Sequence, residues 1–304
     1  MCCVVQPGSW RTRYTTATAI ALSVAQPLIY RVTPPPGTCD CHVHVYGPPS
    51  RFPFVESHRD RSPDGPAPQL EAMHLAIGVD RCVIVHPPGH GTDLAVTIDA
   101  MDSGDRDYRA IALVEPAISD QRLEELHRLG FRGVRYSPTL DGGALDKPAV
   151  LEMARRIEPL GWHLLLHFKD NAILDYADLL EALTIPFVLD HFGGVDPATG
   201  GTDQDSFRLV AKHVSGGNGW IKTSAIEKIS HQSYPFEDAI EIAAAFVSLT
   251  PDRVIWGTDW PHPGVGEKAT DDDDLLNLIP LYAPDAKTQR KILVDNPAQL
   301  YGFD

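Results

Sequence analysis

Thr38-Cys39-Asp40-Cys41-His42-Val43-His44-Val45-Tyr46-Gly47 alternates as a β-strand does, so side chains two apart share a face. A regular strand here puts Asp40, His42 and His44 on one side and Cys39, Cys41, Val43 and Val45 on the other, where the cysteines would pack against helices. Two imidazoles spaced i, i+2 at a strand end can grip one metal ion from one side. His-x-His alone is a weak signal, because a surface strand with two solvated histidines reads the same way. Its weight comes from the runs that follow it.

Seven more strand-like runs lie downstream: Arg81–His86, Arg109–Glu115, Gly133–Ser137, His163–Phe168, Phe187–His191, Trp220–Thr223 and Val254–Thr258. With Cys39–Tyr46 they make eight. Most are continuous apolar stretches, the pattern of parallel strands buried on both faces. Helix-like segments separate them, near 68–77, 92–101, 119–129, 147–158, 173–183, 203–214, 236–249 and 286–295. In the third, Leu123, Leu126 and Leu129 share one face and Gln121, Glu124 and Glu125 the other. Ser119 and Asp120 can cap its start, and Gly130 can stop it. Eight strands alternating with eight helices predict an α/β fold, a single-domain (β/α)8 TIM barrel over 38–304. An open dinucleotide-binding sheet would carry a Gly-rich phosphate loop after the first strand, and none follows.

A chain of 304 residues, 43% of them hydrophobic, suits one such domain. Residues 1–37 read as a leader, disordered or peripheral, ending in Pro34-Pro35-Pro36-Gly37. Arg11 and Arg13 before Ala17–Ala25 give it some likeness to an export signal, but the apolar core is short and threonine-rich. No apolar run reaches the roughly 18 residues of a membrane span. A net charge of −15 and a pI near 5.2 argue against nucleic acid or an anionic membrane as partner. The five cysteines, Cys2, Cys3, Cys39, Cys41 and Cys82, read as reduced thiols of a cytoplasmic protein rather than a disulfide framework. Self-association is compatible with the sequence.

Polar residues gather at the C-terminal ends of the runs. The first gives His42 and His44, the fifth ends on His167, the sixth on His191 and the eighth on Asp259. A lone histidine at such a place is usually a satisfied core residue. Four histidines and an aspartate on one rim are hard to explain by packing, since buried polar groups need partners. Two long loops, Gly47–Gln69 and Trp260–Asp274, follow strands and would overhang this rim. Asp271–Asp274 reads as the solvated first turn of a helix.

The strand-1 His-x-His, the histidines ending strands 5 and 6, and Trp256-Gly257-Thr258-Asp259-Trp260-Pro261-His262 resemble the amidohydrolase superfamily, in its amidohydrolase-related family 2. Within it, Asp40-Cys41-His42-Val43-His44-Val45-Tyr46-Gly47-Pro48, Phe52-Pro53-Phe54, Gly130-Phe131-Arg132-Gly133-Val134-Arg135 and Asn296-Pro297-Ala298 resemble the 2-pyrone-4,6-dicarboxylate lactonase group. That group also takes in sulfomuconolactone hydrolases and sugar-acid lactone enzymes. Carried over residue by residue, the resemblance implies one divalent ion held by His42, His44, His167 and Asp259. Zinc suits three imidazoles and a carboxylate. It also implies catalytic roles for Asp259, as the proton carrier, and for His191, which would orient water or substrate. The pyrone-dicarboxylate lactonase itself works without a metal and lacks the strand-5 histidine, so His167 favours a metal here.

Arg135 matches a substrate-binding arginine of that group, whereas Asp141 stands where a second would be. Arg135 ends an apolar strand, where a guanidinium is costly to bury without an anion. Its planar fork suits a carboxylate or sulfonate. Arg51, Arg61, Lys169, Lys228 and His262 are the other expected substrate contacts; Lys222 reads as a surface charge. His86 and His90 lie in loops on the same side. Ser137 sits in no Gly-x-Ser-x-Gly elbow, which argues against a serine triad. The implied activity is hydrolysis of a small anionic lactone, of the muconolactone, sulfomuconolactone or pyrone-dicarboxylate kind, in aromatic-compound degradation. A decarboxylase or a sugar-acid lactone isomerase of the same superfamily could use the same ligands. A barrel that only bound a small anion would need no water-activating set.

Overall fold

In a computed structural model of the chain, residues 31–58, 64–103, 106–140, 143–266 and 269–304 are described. Eight strands form: β1 Cys39–Val43, β2 Arg81–Val85, β3 Asp107–Ala112, β4 Phe131–Tyr136, β5 His163–Leu166, β6 Phe187–Leu189, β7 Gly219–Ser224 and β8 Val254–Gly257. Each pairs in parallel with the next in chain order. The ring closes just past β8. Val43 bridges Trp260, the Asp259 N–H donates to the His42 carbonyl at 2.8 Å, and the His44 N–H donates to the Trp260 carbonyl at 2.8 Å. The (β/α)8 barrel expected from the alternation is the fold of the chain.

All strands but β7 stop one to three residues before their apolar runs do. The residues left over are the polar ones: His44, His86, His167, Asp190, His191 and Thr258 follow the last paired positions. Helices fill the connections at Ala67–Ile77, Ala95–Ser103, Asp120–Arg128, Lys147–Ile157, Asp205–Gly216 and Glu237–Leu249. The Ser119 hydroxyl accepts from the Arg122 N–H at 3.2 Å, a helix cap of the expected kind. Asp271 precedes the helix Asp272–Asn277, so its acids do form a first turn. Two expected helices are broken. The segment near 173–183 winds as 3-10 over Ala172–Tyr176 and as α only over Ala177–Ala182, after a tight turn at Asp170 and Asn171. The last becomes Ala286–Arg290, a π turn at Lys291–Asp295, and Asn296–Tyr301. Pro297 has no N–H to continue the helical bonding, and the π turn absorbs the slip.

The core has two shells. The inner one joins Cys39, Cys41, Val83, Val85, Ile111, Leu165, Val188, Trp220 and Ile255 to Tyr301 and Phe303 from the C-terminus. The outer one packs Val43, Ile84, Leu164, Leu189 and Ile221 against helix residues such as Leu70, Leu126 and Phe246. Cys39 and Cys41 therefore face the barrel interior and not the helices. The expected alternation of the first strand fails at one point. Asp40 pairs with Cys82 and Val43 with Ile84, so β1 spends three steps where β2 spends two. This bulge keeps His42 on the interior side with Cys41 and turns Asp40 to the helix layer.

Residues 31–37 lie against the barrel. The Val32 N–H donates to Asn277 Oδ1 at 2.8 Å and the Gly37 N–H to Asp80 Oδ2 at 2.7 Å. The rest of the leader, with Cys2, Cys3 and the signal-like stretch, is outside the described residues. Among the described residues no helix is long and apolar enough to cross a membrane.

Candidate active site

The closure of β8 onto β1 assembles the site. Gly257 permits it: a Cβ there would meet the His42 N at 2.7 Å and the His42 Cβ at 2.8 Å. Asp40, fully buried, braces the junction from the helix side. Its Oδ1 accepts from the His42 N–H at 3.1 Å and the Thr258 N–H at 3.0 Å, and its Oδ2 from Thr258 Oγ1 at 2.6 Å. His74 Nε2 stands 3.3 Å from the same Oδ2.

Past this brace, three atoms converge. His42 Nε2 and His44 Nε2 are 3.3 Å apart, and each is 3.4 Å from Asp259 Oδ1. Their other atoms fix their chemistry. His44 Nδ1 donates to the Val85 carbonyl at 2.8 Å, and His42 Nδ1 donates to Asp190 Oδ1 at 3.1 Å. With Nδ1 as the donor in each ring, Nε2 is the atom left to offer a lone pair. Asp259 Oδ1 is buried without a hydrogen-bond partner, while Oδ2 is ion-paired with Lys228. Three buried acceptors facing one point repel one another unless a cation joins them. A tetrahedral ion with ligands at about 2.0–2.1 Å spaces them about 3.3 Å apart, so the donor set fits a divalent metal in type and spacing.

A second tier holds the first. Asp190 Oδ1 also accepts from Lys222 Nζ at 3.0 Å, and that ammonium is 3.2 Å from His42 Nδ1. Both side chains are fully buried. Burial works to raise the Asp190 pKa, but His42 and Lys222 outweigh it and hold the carboxyl well below its usual range. Burial pulls the His42 pKa down to about 4 against the opposing pull of Asp190. At Asp259, too, burial is outweighed, chiefly by Lys228 and His191, and the carboxylate stays charged. A carboxylate behind a metal-facing histidine orients the ring and sets its tautomer.

His191 and His167 stand beside the triangle. The His191 ring lies 4.7 Å from that of His42, with Nε2 3.9 Å from Asp259 Oδ1 and Nδ1 2.8 Å from Ser224 Oγ. Burial holds it neutral. His167 meets His191 edge to face at 5.2 Å, and its Nδ1 is 3.3 Å from Ser137 Oγ. It is not one of the three converging atoms. Burial, and then Arg135, lower its pKa to about 3. All eight non-glycine residues with positive φ among those described, His191 (48°) and Asp259 (66°) included, follow the ends of β5 to β8. Backbone strain of this kind gathers where side chains must be aimed.

The other expected contacts divide. Arg135 reaches this tier: its Nη2 is 3.6 Å from Asp190 Oδ2, its Nε has no partner, and it is 6% exposed. Lys228 is engaged by Asp259 itself. His262 lies between Glu227 Oε1 at 2.9 Å and Asp272 Oδ1 at 3.3 Å. Burial lowers its pKa, but those two acids more than offset this and raise it to about 10, so the ring is an imidazolium. Arg51 turns outward, paired with Asp99 and 4.7 Å over the Phe52 ring. Lys169 is exposed after β5. Arg61 and Asp141 lie outside the described residues. His90 packs on Phe54 at 4.6 Å, and His86 is bonded to Thr97 Oγ1 at 2.7 Å. Asp190, Lys222, Asp40 and His74 were not singled out from sequence as parts of the site. A lysine inside the apolar run Trp220-Ile221-Lys222 was the available signal, since a charge in a strand buried on both faces must have a buried partner.

The amidohydrolase family pattern matches residues 39–303. A 4-sulfomuconolactone hydrolase of Hydrogenophaga intermedia is 38% identical over 276 residues, 90% of this chain and 91% of that protein. A 2-pyrone-4,6-dicarboxylate hydrolase of Comamonas testosteroni is 37% identical over 279 residues, 88% of this chain and 90% of that one. A solved structure of a probable 2-pyrone-4,6-dicarboxylic acid hydrolase from Acinetobacter baumannii, with citric acid bound, superposes with a TM-score of 0.77 at 25% identity; it covers 88% of this chain and 100% of its own. With its barrel, its rim of histidines and its strand-8 aspartate, the chain belongs to the amidohydrolase family.

Proposed function

We propose that the protein is a lactonase that hydrolyses a small anionic lactone in the breakdown of aromatic compounds, with one divalent ion, zinc, at the rim. The observation that carries it is the triangle of acceptors at His42 Nε2, His44 Nε2 and Asp259 Oδ1, each 3.3–3.4 Å from the others, with Asp259 Oδ1 buried and unpartnered. These three would hold the ion, with His167 on the open side as the further ligand. Bound there, a divalent ion acidifies water and polarises a carbonyl. The sulfonate and carboxylate groups named for the two relatives support an anionic substrate, and Arg135 is the buried cation that would take that group.

The residues divide the remaining work. Asp259 is charged, and its carboxylate takes the proton from water as the water oxygen adds to the lactone carbonyl. The ring C–O bond then breaks, and Asp259 returns the proton to the leaving alkoxide. Ser224 donates its hydroxyl proton to His191 Nδ1, which leaves Nε2–H to donate to the oxyanion. The net change is one water added. A cytoplasmic setting suits the free thiols Cys39, Cys41 and Cys82, the first two with sulfurs 3.7 Å apart.

The test joins metal analysis of the purified protein to turnover of sulfomuconolactone, muconolactone and pyrone-dicarboxylate in ¹⁸O-labelled water. The expected result is one zinc per chain and one label in the opened product. Carbon dioxide release would make it a decarboxylase, and product without label an isomerase. Full activity in metal-free protein would overturn the metal assignment, and the Lys228–Asp259 pair would then carry the charge balance alone.

A further inference from the structure

The loop after β1 doubles back to build one flank of the rim. The Tyr46 N–H donates to the Gly65 carbonyl at 2.8 Å, which joins the two ends of the loop. Gly47 has no Cβ, and the Phe52 ring takes that space, so the chain returns over its own start. Residues 53–55 then dock on the short turn Pro88–His90 beyond β2. The Val55 N–H donates to the Gly89 carbonyl at 2.9 Å, and His90 Nδ1 donates to the Pro53 carbonyl at 3.2 Å. An aromatic cluster is thereby fixed from two elements. The Phe54 ring lies 4.6 Å from that of His90, and the Tyr46 ring lies 6.3 Å from Phe54 and 6.1 Å from His90.

Tyr46 carries this cluster to the reacting end. Its ring is 6.4 Å from that of His44, whose Nε2 is one corner of the acceptor triangle. It is 5% exposed, and among the described residues nothing hydrogen-bonds its hydroxyl. Unlike the sealed phenols of Tyr108 and Tyr301, its oxygen keeps some accessible surface. Burial raises its pKa, and then Asp259 raises it and Arg135 lowers it, so the phenol is a neutral donor within electrostatic reach of both. Tyr46 thus brings an aromatic body and a polar tip to the proton-carrying carboxylate and the substrate arginine. A flat conjugated ring can lie flush on such a body. A saturated ring is puckered, and any hydroxyl it turned to that face would be buried without a partner.

We propose that Tyr46 and Phe54 form a wall that selects the substrate: a flat, conjugated anionic lactone stacks on it, the Tyr46 hydroxyl donates to a substrate oxygen, and saturated sugar-acid lactones are disfavoured. The proposal rests on the reading of the rim as a lactonase and narrows its substrate class. His90 is a positioning residue here, since it holds Phe54 through the ring contact and the Pro53 carbonyl. An aromatic pair is worth about two- to tenfold in affinity beyond the area it buries, which sets the scale of the preference.

Two probes of equal charge test it without any turnover: isophthalate, flat and conjugated, and cis-cyclohexane-1,3-dicarboxylate, saturated. Calorimetric titration of the full chain should show tighter binding of isophthalate. Tyr46→Leu should shrink that preference about fivefold, and Tyr46→Phe, which keeps the ring, should retain most of it. In turnover, Tyr46→Leu should raise KM for muconolactone more than for galactarolactone and leave kcat nearly unchanged. Failure to bind isophthalate, equal affinity for the two probes, or an undiminished preference in Tyr46→Leu overturns the wall, whether or not lactones are hydrolysed. Loss of the preference in Tyr46→Phe as well would assign it to the hydroxyl and overturn the stacking. A preference lost only in Tyr46→Leu, from a chain that opens no lactone, upholds the wall and overturns the lactonase reading instead. Should Tyr46→Leu fail to fold, Phe54→Leu, at a half-buried position, decides by the same ratio.

Discussion

The two ends of the barrel interior bury polar atoms in different ways. At the C-terminal rim His42 Nε2, His44 Nε2 and Asp259 Oδ1 turn three acceptors on one point. At the N-terminal end Trp220 Nε1 and both ring nitrogens of His163 are buried among packed side chains with no hydrogen-bond partner. Between them the buried Asp190 and Lys222 satisfy each other at 3.0 Å. The charge that the rim wants follows from counting protons on the atoms that face it, before any ligand is considered. The ends also differ in how the chain gets there. The rim adds to His42, still inside β1, residues that leave the strands, aimed by positive φ at His191 and Asp259. The N-terminal end uses residues inside or beside regular strands, with no comparable distortion. Catalysis demands aim, and closing the bottom of a barrel demands only packing.

Removing the acceptor at the rim should have the largest effect. Asp259→Asn keeps the shape but cannot carry the proton. With metal occupancy and fold confirmed, kcat should fall by at least the roughly 10²–10⁴-fold typical of losing a general acid–base. Near-normal turnover would move the base to His191. Arg135→Met probes the boundary between the ends, since its guanidinium leans on Asp190 at 3.6 Å yet keeps Nε free. The change should raise KM for the anionic lactone and spare a neutral one. Losing a charged hydrogen-bonded pair costs about 2–5 kcal/mol, and the Asp190 contact puts Arg135 in the lower part of that range. Equal losses on both substrates would make Arg135 structural.

The contrast between the ends also explains what was legible in the sequence. Parallel strands buried on both faces leave unbroken apolar runs, so all eight strands could be read. The residues at their ends, His42, His44, His167, His191 and Asp259, could be read as one rim because a barrel brings all C-terminal ends together. The bulge at β1 could not. One extra residue reverses which of Asp40 and Cys41 faces inward, and no alternation pattern registers it. Lys222 and Asp190 were illegible for another reason: each is explained only by the other, 32 positions away in the chain. His262 and Lys228 were expected to contact substrate because their partners, Glu227, Asp272 and Asp259, are set by loop geometry that the sequence does not display. His163 and Trp220 merely began apolar runs, which do not show that their ring nitrogens go unpartnered.

The smallest expected effect is on stability, and its sign sets His262 apart from the buried neutral histidines. His262 is clamped by Glu227 and Asp272, and its pKa is raised to about 10. A free histidine titrates near 6.5. Between those values the folded chain holds a proton that the unfolded chain has released. The clamp's contribution is therefore complete below about pH 6.5 and lost as pH rises towards 10. His86 and His163 run the other way. Burial lowers both to about 3, so their contribution holds above about 6.5 and fades as pH falls towards 3. Stability should accordingly decline on both flanks, for different reasons at different places. His262→Gln should cost about 1–3 kcal/mol near pH 7, the range for leaving a buried hydrogen-bonded charge such as Glu227 short of a partner. It should also flatten the alkaline flank while leaving the acid flank as it was. Urea midpoints of both proteins from pH 4 to 10 measure this directly. A constant gap between them across the alkaline range would show that His262 does not titrate there, and the clamp would then be a neutral hydrogen bond rather than an ion bridge.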